Sequence, residues 1–390
     1  MKVVHVSVAD TGGAGLCAYR ICKAQREIGI DAQLVVLYNK QKESFVHKTG
    51  GVTYFLHSSL RKIKKLFHIA DEVNMCRALG KQNGATYTLP LSPIDITKLD
   101  VVKNADIVHL HWIGGFLDYP SFFAKMSNKT IVCTLHDQSI LYGIASIEQQ
   151  YLPNNELEKK YYKLKYEEMS KVEHFGAVFL SKMSFESYSV HEMLNHAKKT
   201  IIYNMVDGRL FKPFPKEQLR QQLSLPNTKL FSFCAYDIND ARKGLAVLSE
   251  ALMRIDSSYR ILAIGKNRKG SKWANVIEMG FFADATKISA IHSVADFCCM
   301  PSYKEHFAQA PLEAMACGTP VIAFPCSGTE ELITPQNGIR CTDFTLEALE
   351  EGIRKALQTE YNSDEIRQDM LNRYAPEKIA KDYLAFYETL

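Results

Sequence analysis

ADFCCMPSYKEHFAQAPLEAMACGTPVIAF, residues 295–324, decides the reading of this chain. It reads as strand, polar loop, short helix, strand. Asp296 to Met300 is an apolar run of strand length, and Pro301 with Ser302 stops it. Pro311 suits a first helical position and predicts a helix starting near Ala310. Gly318 followed by Pro320 predicts its end by Cys317. Pro311, Leu312, Ala314, Met315, Ala316 and Cys317 leave this two-turn helix almost no polar face, which implies burial between the two strands. Glu313 is its only charged residue, and an ionised carboxylate removed from water needs donors. Two readings stay open. Glu313 could serve the free amides and dipole of the first turn, although Ala310 lacks the hydroxyl of a capping box. Alternatively, Glu313 receives hydroxyl groups of a ligand, and Glu305 presents a second carboxylate to the same cleft.

Composition bounds the alternatives. At 390 residues the chain is long for one core and comfortable for two domains. A net charge of +4 is too small to suggest nucleic acid without a concentrated patch. The ten cysteines form no CxxC pair, and Cys17, Cys133, Cys234, Cys298 and Cys317 lie in apolar contexts. They read as reduced, buried residues of an intracellular protein. Met1 and Lys2 lead straight into a strand rather than a secretory signal, and no apolar stretch reaches the ~18 residues of a membrane span. The expected location is cytoplasmic.

Outward from the central stretch, the amino-terminal half opens with a strand at Lys2 to Val8 and a glycine-rich turn at residues 10–15. A helix to about Ile28 and a strand from Ala32 to Tyr38 follow. This βαβ unit predicts a parallel, doubly wound sheet with a ligand at the strand ends. Gly13 to Ala18 also fits the G-x-G-x-x-A dinucleotide fingerprint, but Leu37-Tyr38-Asn39-Lys40 offers no acidic residue for a ribose. An NADP-linked oxidoreductase using Lys40 or Lys42 is the reading this leaves. Small residues here equally let backbone amides approach any phosphate. Residues 57–73 suggest a basic amphipathic helix, with Leu60, Ile63, Leu66 and Phe67 on one face and Arg61, Lys62, Lys64 and Lys65 beside or opposite. It either packs its stripe on a sheet, the preferred reading, or rests peripherally on anionic lipid at the inner membrane face.

Alternation puts His109 and His111 on one strand face, and the strand Thr130 to Leu135 delivers His136 and Asp137 at its carboxyl end, where such sheets hold ligands. A metal site is set aside because neither spacing matches a zinc or dinuclear pattern. Asn154 to Val172 reads as a solvated helix held by pairs such as Glu156 with Lys160. In the second half, a strand at Leu230 to Ala235 precedes Asp240-Ala241-Arg242-Lys243-Gly244 and a helix. Two cations at a helix start suit a diphosphate; the bland alternative is an exposed basic turn. Strands at Arg260 to Gly265 and Val276 to Phe282, and helices at 285–294, 345–358, 364–373 and 376–389, complete the pattern.

Glu305 and Glu313, with seven residues between them and followed by Ala-Met-Ala-Cys-Gly-Thr-Pro-Val-Ile, resemble the paired-glutamate motif of the retaining glycosyltransferase family 4, the glycosyl transferases group 1. His306, where many members carry Gly, and Ala308-Gln309 depart from the motif at positions that line the donor sugar. The resemblance implies an α/β GT-B fold, two facing Rossmann-like domains with an interdomain cleft. Residues 1–208 would be the acceptor-side domain and 209–375 the nucleotide-sugar-binding domain, with the helix at 376–390 crossing back.

It further implies a metal-independent, cofactor-free transfer of a sugar from a nucleoside diphosphate sugar to a hydroxyl of a glycan or lipid-linked glycan acceptor, as in polysaccharide biosynthesis. A lipid-linked acceptor would favour membrane contact by residues 60–70. By the same resemblance Glu313 holds the ribose, Glu305 lies by the transferred sugar, and Gly13, His306, Phe307, Ala308 and Gln309 line the donor. His136 contacts the donor sugar, Lys243 grips the diphosphate, and Arg242 stands in for the family's upstream arginine. Gly12, Gly13 and His111 face the acceptor. A sugar-nucleotide epimerase of the same fold is the alternative, and it would need an acid and a base that the residues do not identify.

Overall fold

The computed structural model describes residues 1–53, 55–57, 59 and 71–390. Most of the basic segment read across residues 57–73 lies outside the described residues. The chain forms two compact units, one of residues 1–180, 184–202 and 380–390, the other of residues 181–183 and 203–379.

In the first unit the described strands form a parallel sheet in the order β3-β2-β1-β4-β5-β6-β7. The strands are β1 (Lys2–Ala9), β2 (Asp31–Tyr38), β3 (Val46–Lys48), β4 (Ile107–Leu110), β5 (Thr130–Thr134), β6 (His174–Phe179) and β7 (Lys198–Ile201). Val3, Val4, Val6, Leu34, Val35 and Val36 are buried on both faces of β1 and β2, as strands covered by helices on each side must be. The first helix, Gly12–Glu27, follows the glycine-rich turn. A side chain at Gly15 would overlap the Ala9 carbonyl, so this glycine serves close helix–strand packing. The last helix, Pro376–Tyr387, buries Tyr383, Phe386 and Tyr387, and its residues from 380 onward belong to the first unit.

The second unit carries a parallel sheet in the order β10-β9-β8-β11-β12-β13. Its strands are β8 (Leu230–Asp237), β9 (Arg260–Lys266), β10 (Val276–Gly280), β11 (Phe297–Met300), β12 (Val321–Ala323) and β13 (Gly338–Arg340). Phe231, Leu248, Leu252, Ile261, Ile322, Leu349 and Ile353 fill one face. Beneath β11, the Asp296 carboxylate is gripped by Lys216 at 2.9 Å and Arg220 at 2.9 Å, and accepts the Leu230 amide at 2.8 Å. These partners hold Asp296 below the usual carboxylate range against its burial.

Two local expectations are corrected. The helix Glu156–Met169 is not solvated all round, because Glu158, Tyr161, Lys165 and Met169 are buried. Nor does Glu156 pair with Lys160. Glu156 takes Lys159, and Lys160 reaches Glu72 at 2.6 Å. Dense charge in this helix masks an inward face on which Glu158 and Lys165 find backbone partners. The helix read as starting near Ala310 runs Gln309–Ala316. Pro311 is therefore third rather than first, which costs nothing, since no amide of the first turn has an intrahelical partner to lose.

Candidate active site

Each sheet reverses its strand order once, β1 against β4 in the first unit and β8 against β11 in the second. In open parallel sheets, ligands bind beyond the carboxyl ends of the strands at such a reversal. The residues singled out from the sequence lie just after these four strands and β5.

In the second unit, Asp240 caps a single turn, Ala241–Lys243, by accepting the Arg242 amide at 3.0 Å. Gly244 then sits at φ +77° and opens the helix Leu245–Ile255. Any side chain at Gly244 would overlap the Pro301 carbonyl, so the loops after β8 and β11 touch backbone to backbone. The Tyr303 amide donates to the Arg242 carbonyl at 2.9 Å, and the Lys243 ammonium meets the Glu305 carboxylate. Arg242 turns away onto Asp240, at 3.1 and 2.6 Å, with its side chain largely exposed.

Beyond Glu305, the backbone is pinned from two sides. Ser327 Oγ donates to the His306 carbonyl at 3.1 Å and Asn204 Nδ2 to the Phe307 carbonyl at 2.9 Å. Phe307 is buried with its ring 5.3 Å from Tyr203 and 5.8 Å from Tyr374. Both ring nitrogens of His306 are sealed from solvent and lack a hydrogen-bond partner among the described residues. Burial lowers its pKa to about 4, so the imidazole is neutral, with one donor and one acceptor unmet. Ala308 precedes the helix that holds Gln309 and the buried Glu313. Glu313 is fifth in that helix, past the first turn, which removes the capping explanation. The Cys234 thiol, within β8, lies in the field of both groups: burial raises its pKa, Glu313 adds to the rise and Lys243 opposes it.

In the first unit, positions 12 and 13 at the helix start meet no atom that a Cβ would touch, unlike Gly15. Asp10 accepts the Lys40 amide at 2.8 Å and the Gln41 amide at 3.0 Å, which ties down the loop after β2. The histidines form a connected set. His136 Nε2 lies 2.9 Å from His111 Nδ1, and His111 Nε2 lies 3.0 Å from His5 Nδ1. His5 Nε2 reaches Gln25 Oε1 at 2.9 Å. Gln25 Nε2 donates to the Tyr387 hydroxyl at 3.1 Å, which sits 2.6 Å from His109 Nδ1. His109 Nε2 meets Thr134 Oγ1 at 2.7 Å, and Tyr383 follows at 3.2 Å.

Burial depresses the pKa of His5 to about 4 and those of His109 and His111 well below the usual value. His5, His109 and His111 are close enough together to suggest a metal, yet all six of their ring nitrogens are engaged in these bonds. They fit a hydrogen-bonded core rather than a cation site.

The segment after His136 is stitched from the helix Glu156–Met169. Glu158 accepts the amides of Gly143, Ile144 at 3.1 Å and Ala145 at 3.2 Å. Lys165 donates to the carbonyls of Ser139 at 2.7 Å and Tyr142 at 2.6 Å, and burial lowers its pKa to about 8. Sequence reasoning missed His5, Gln25, Thr134, Tyr387, Glu158 and Lys165 as parts of the site. Only the polar residues His5 and Ser7 inside an otherwise valine-rich first strand gave a signal.

Residues 215–378 match the model of the family described as glycosyl transferases group 1. The second unit is a glycosyl transferases group 1 domain. A GDP-mannose:cellobiosyl-diphosphopolyprenol alpha-mannosyltransferase of Xanthomonas oryzae pv. oryzae is 21% identical over 254 residues, 62% of this chain and 60% of the relative. A GDP-mannose-dependent alpha-(1-6)-phosphatidylinositol dimannoside mannosyltransferase of Mycobacterium tuberculosis is 35% identical over 75 residues, 19% of each chain. The chain thus spans at most about three fifths of the length of these curated relatives. Over full length, the chain superposes on Anabaena Alr3699/HepE, solved in complex with UDP and glucose, with a TM-score of 0.68, 17% identity and 100% of both chains covered. The fold is GT-B, and the group 1 domain carries Lys243, Glu305 and Glu313. This membership favours neither the epimerase nor the oxidoreductase alternative.

Proposed function

We propose that the chain is a retaining glycosyltransferase that moves a sugar from a nucleoside diphosphate sugar to a hydroxyl of a glycan or lipid-linked glycan, without a metal. One observation carries this reading: Lys243 pairs with Glu305 beside the start of the helix Leu245–Ile255, at the strand-order reversal of the group 1 domain, and the buried Glu313 lies in the helix that follows the same β11 loop. A diphosphate arriving there meets a lysine and the amides of a helix start. Glu313 accepts the ribose hydroxyls. Glu305, released from Lys243 when the phosphates take that cation, lies beside the transferred sugar with the neutral His306.

Breaking the bond to the diphosphate builds negative charge on the leaving group. Fixed donors aimed at that oxygen supply the largest share of catalysis and make a metal unnecessary. The departing phosphate takes the acceptor's proton on the face it leaves, so the configuration is retained and no separate base is required. On this geometry Arg242 is an auxiliary cation, since Asp240 already holds it. The names of the curated relatives make GDP-mannose the first donor to try, and the UDP-bound neighbour makes UDP-glucose the second.

The test is a thermal-shift panel of UDP, GDP, ADP, their sugars and NADP(H) in EDTA, followed by donor turnover with candidate acceptors. Stabilisation by one nucleoside diphosphate and turnover in EDTA are expected. Stabilisation by NADP(H) alone would overturn the reading.

A further inference from the structure

The hydrogen-bonded histidines of the first unit have a direction, and one side chain sets it. A carboxamide has unlike ends: its oxygen only accepts, its nitrogen only donates. Gln25 turns its oxygen to His5 Nε2, so the proton of that bond resides on His5 Nε2. His5 is neutral, so its Nδ1 is bare and takes the proton of His111 Nε2. His111 is neutral in turn, so its Nδ1 is bare and takes the proton of His136 Nε2. In the other direction, Gln25 Nε2 donates to Tyr387, whose hydroxyl proton goes to His109 Nδ1 and leaves His109 Nε2–H for Thr134. All four imidazoles then share one tautomer. Reversing the one amide would reverse all four.

We propose that Gln25, braced by Tyr387, is a positioning residue that acts through His5 and His111 to hold His136 as the Nε2–H tautomer, so that its Nδ1 is a hydrogen-bond acceptor. Resting on the function proposed above, Gln25 sets the hydrogen-bonding sense of the histidine that the donor-sugar reading singles out. The tautomer assignment itself is independent of that function. A buried imidazole chain is costly unless every member is paired, and here the pairing fixes the hydrogen-bonding sense of a side chain at the carboxyl end of β5.

The test is long-range 1H–15N NMR of the full chain with 15N-histidine, the His136 signals being assigned from the spectrum of His136→Gln. Wild-type protein should show His136 protonated at Nε2 and bare at Nδ1. Gln25→Glu, neutral when buried, keeps one acceptor and one donor and should preserve the tautomer. Gln25→Leu should give a mixture or the reverse, with kcat falling by up to about 100-fold, the scale of one misplaced group.

Tyr387→Phe, which removes the brace together with the hydroxyl that meets His109 Nδ1, tests the same point if Gln25→Leu does not fold. Wild-type His136 carrying its proton on Nδ1, or an unchanged tautomer in folded Gln25→Leu or Tyr387→Phe, would overturn the assignment. The predicted tautomer in a protein that turns over no sugar nucleotide would sink the proposed function and leave the tautomer assignment standing.

Discussion

Lowering the pH from 7.5 to 5.0 should destabilise both units through histidines that folding keeps neutral. His5 in the first unit and His292 in the second are wholly buried, and each has its pKa lowered from 6.5 to about 4 by burial. The sign follows from linkage. Between those values the unfolded chain binds the proton and the folded chain does not, so stability is full above about 6.5 and is lost as the pH falls toward 4. At pH 5.0 the unfolded histidine is favoured by roughly 1.5 pH units of protonation, about 2 kcal/mol for each unit at about 1.4 kcal/mol per pH unit.

His109 and His111 add to this in the first unit, while Asp137, whose pKa burial raises, opposes it. The paired Asp296 has its pKa lowered and acts only below the window. With a urea slope of about 2 kcal/mol per molar, His5 and His292 alone each lower the midpoint of their transition by about 1 M, and His306, whose pKa burial also lowers to about 4, adds to the fall in the second unit. Urea unfolding at the two pH values, followed by far-UV circular dichroism, measures it. Coincident midpoints would mean that the histidines charge in the folded state, which would also remove the premise of the tautomer argument.

Lys243→Ala should lower kcat about 100-fold with a smaller change in KM, because its charge opposes one that develops on the leaving group; steady-state kinetics separates the two. Glu313→Ala should weaken donor binding by about 2 kcal/mol, roughly 30-fold, by removing charged hydrogen bonds, and titration calorimetry with the nucleoside diphosphate sugar reads it. Gly244→Ala should destabilise the group 1 domain by about 1–3 kcal/mol, since φ +77° is strained for any side chain and the Cβ would collide with the Pro301 carbonyl; scanning calorimetry measures the loss. Lys165→Met should cost roughly 3 kcal/mol by orphaning the buried Tyr142 carbonyl and the part-buried Ser139 carbonyl, seen as a lower urea midpoint for the first unit.

The parallel sheets were legible because period and punctuation agree: apolar runs bounded by glycine and proline place β1, β2, β8 and β11 within a residue or two. The group 1 part of the site was legible because its residues crowd into two short stretches, 240–244 and 305–313, each at a strand end. The histidine network was not legible. His5 lies some hundred residues from its partner His111, and Tyr387 over 350 from Gln25, so only folding brings them together. Glu158 and Lys165 were hidden for another reason. In a helix so rich in Glu and Lys, the inward-facing charges look like the solvated ones, and only the backbone groups of residues 139–145 tell them apart.

The ten cysteines are all reduced thiols outside any disulfide, nine buried and Cys234 partly so. Four, Cys17, Cys22, Cys76 and Cys133, lie in the first unit and the other six in the second. Burial raises their pKa where a shift is resolved, as at Cys133 and Cys299, so the thiolate that reacts is scarce until a segment opens. The molecule therefore carries its own clock for opening. The rate at which an alkylating reagent marks each thiol reports how often that part of the sheet exposes itself, and peptide mapping reads the two units separately in one experiment, with and without a sugar nucleotide.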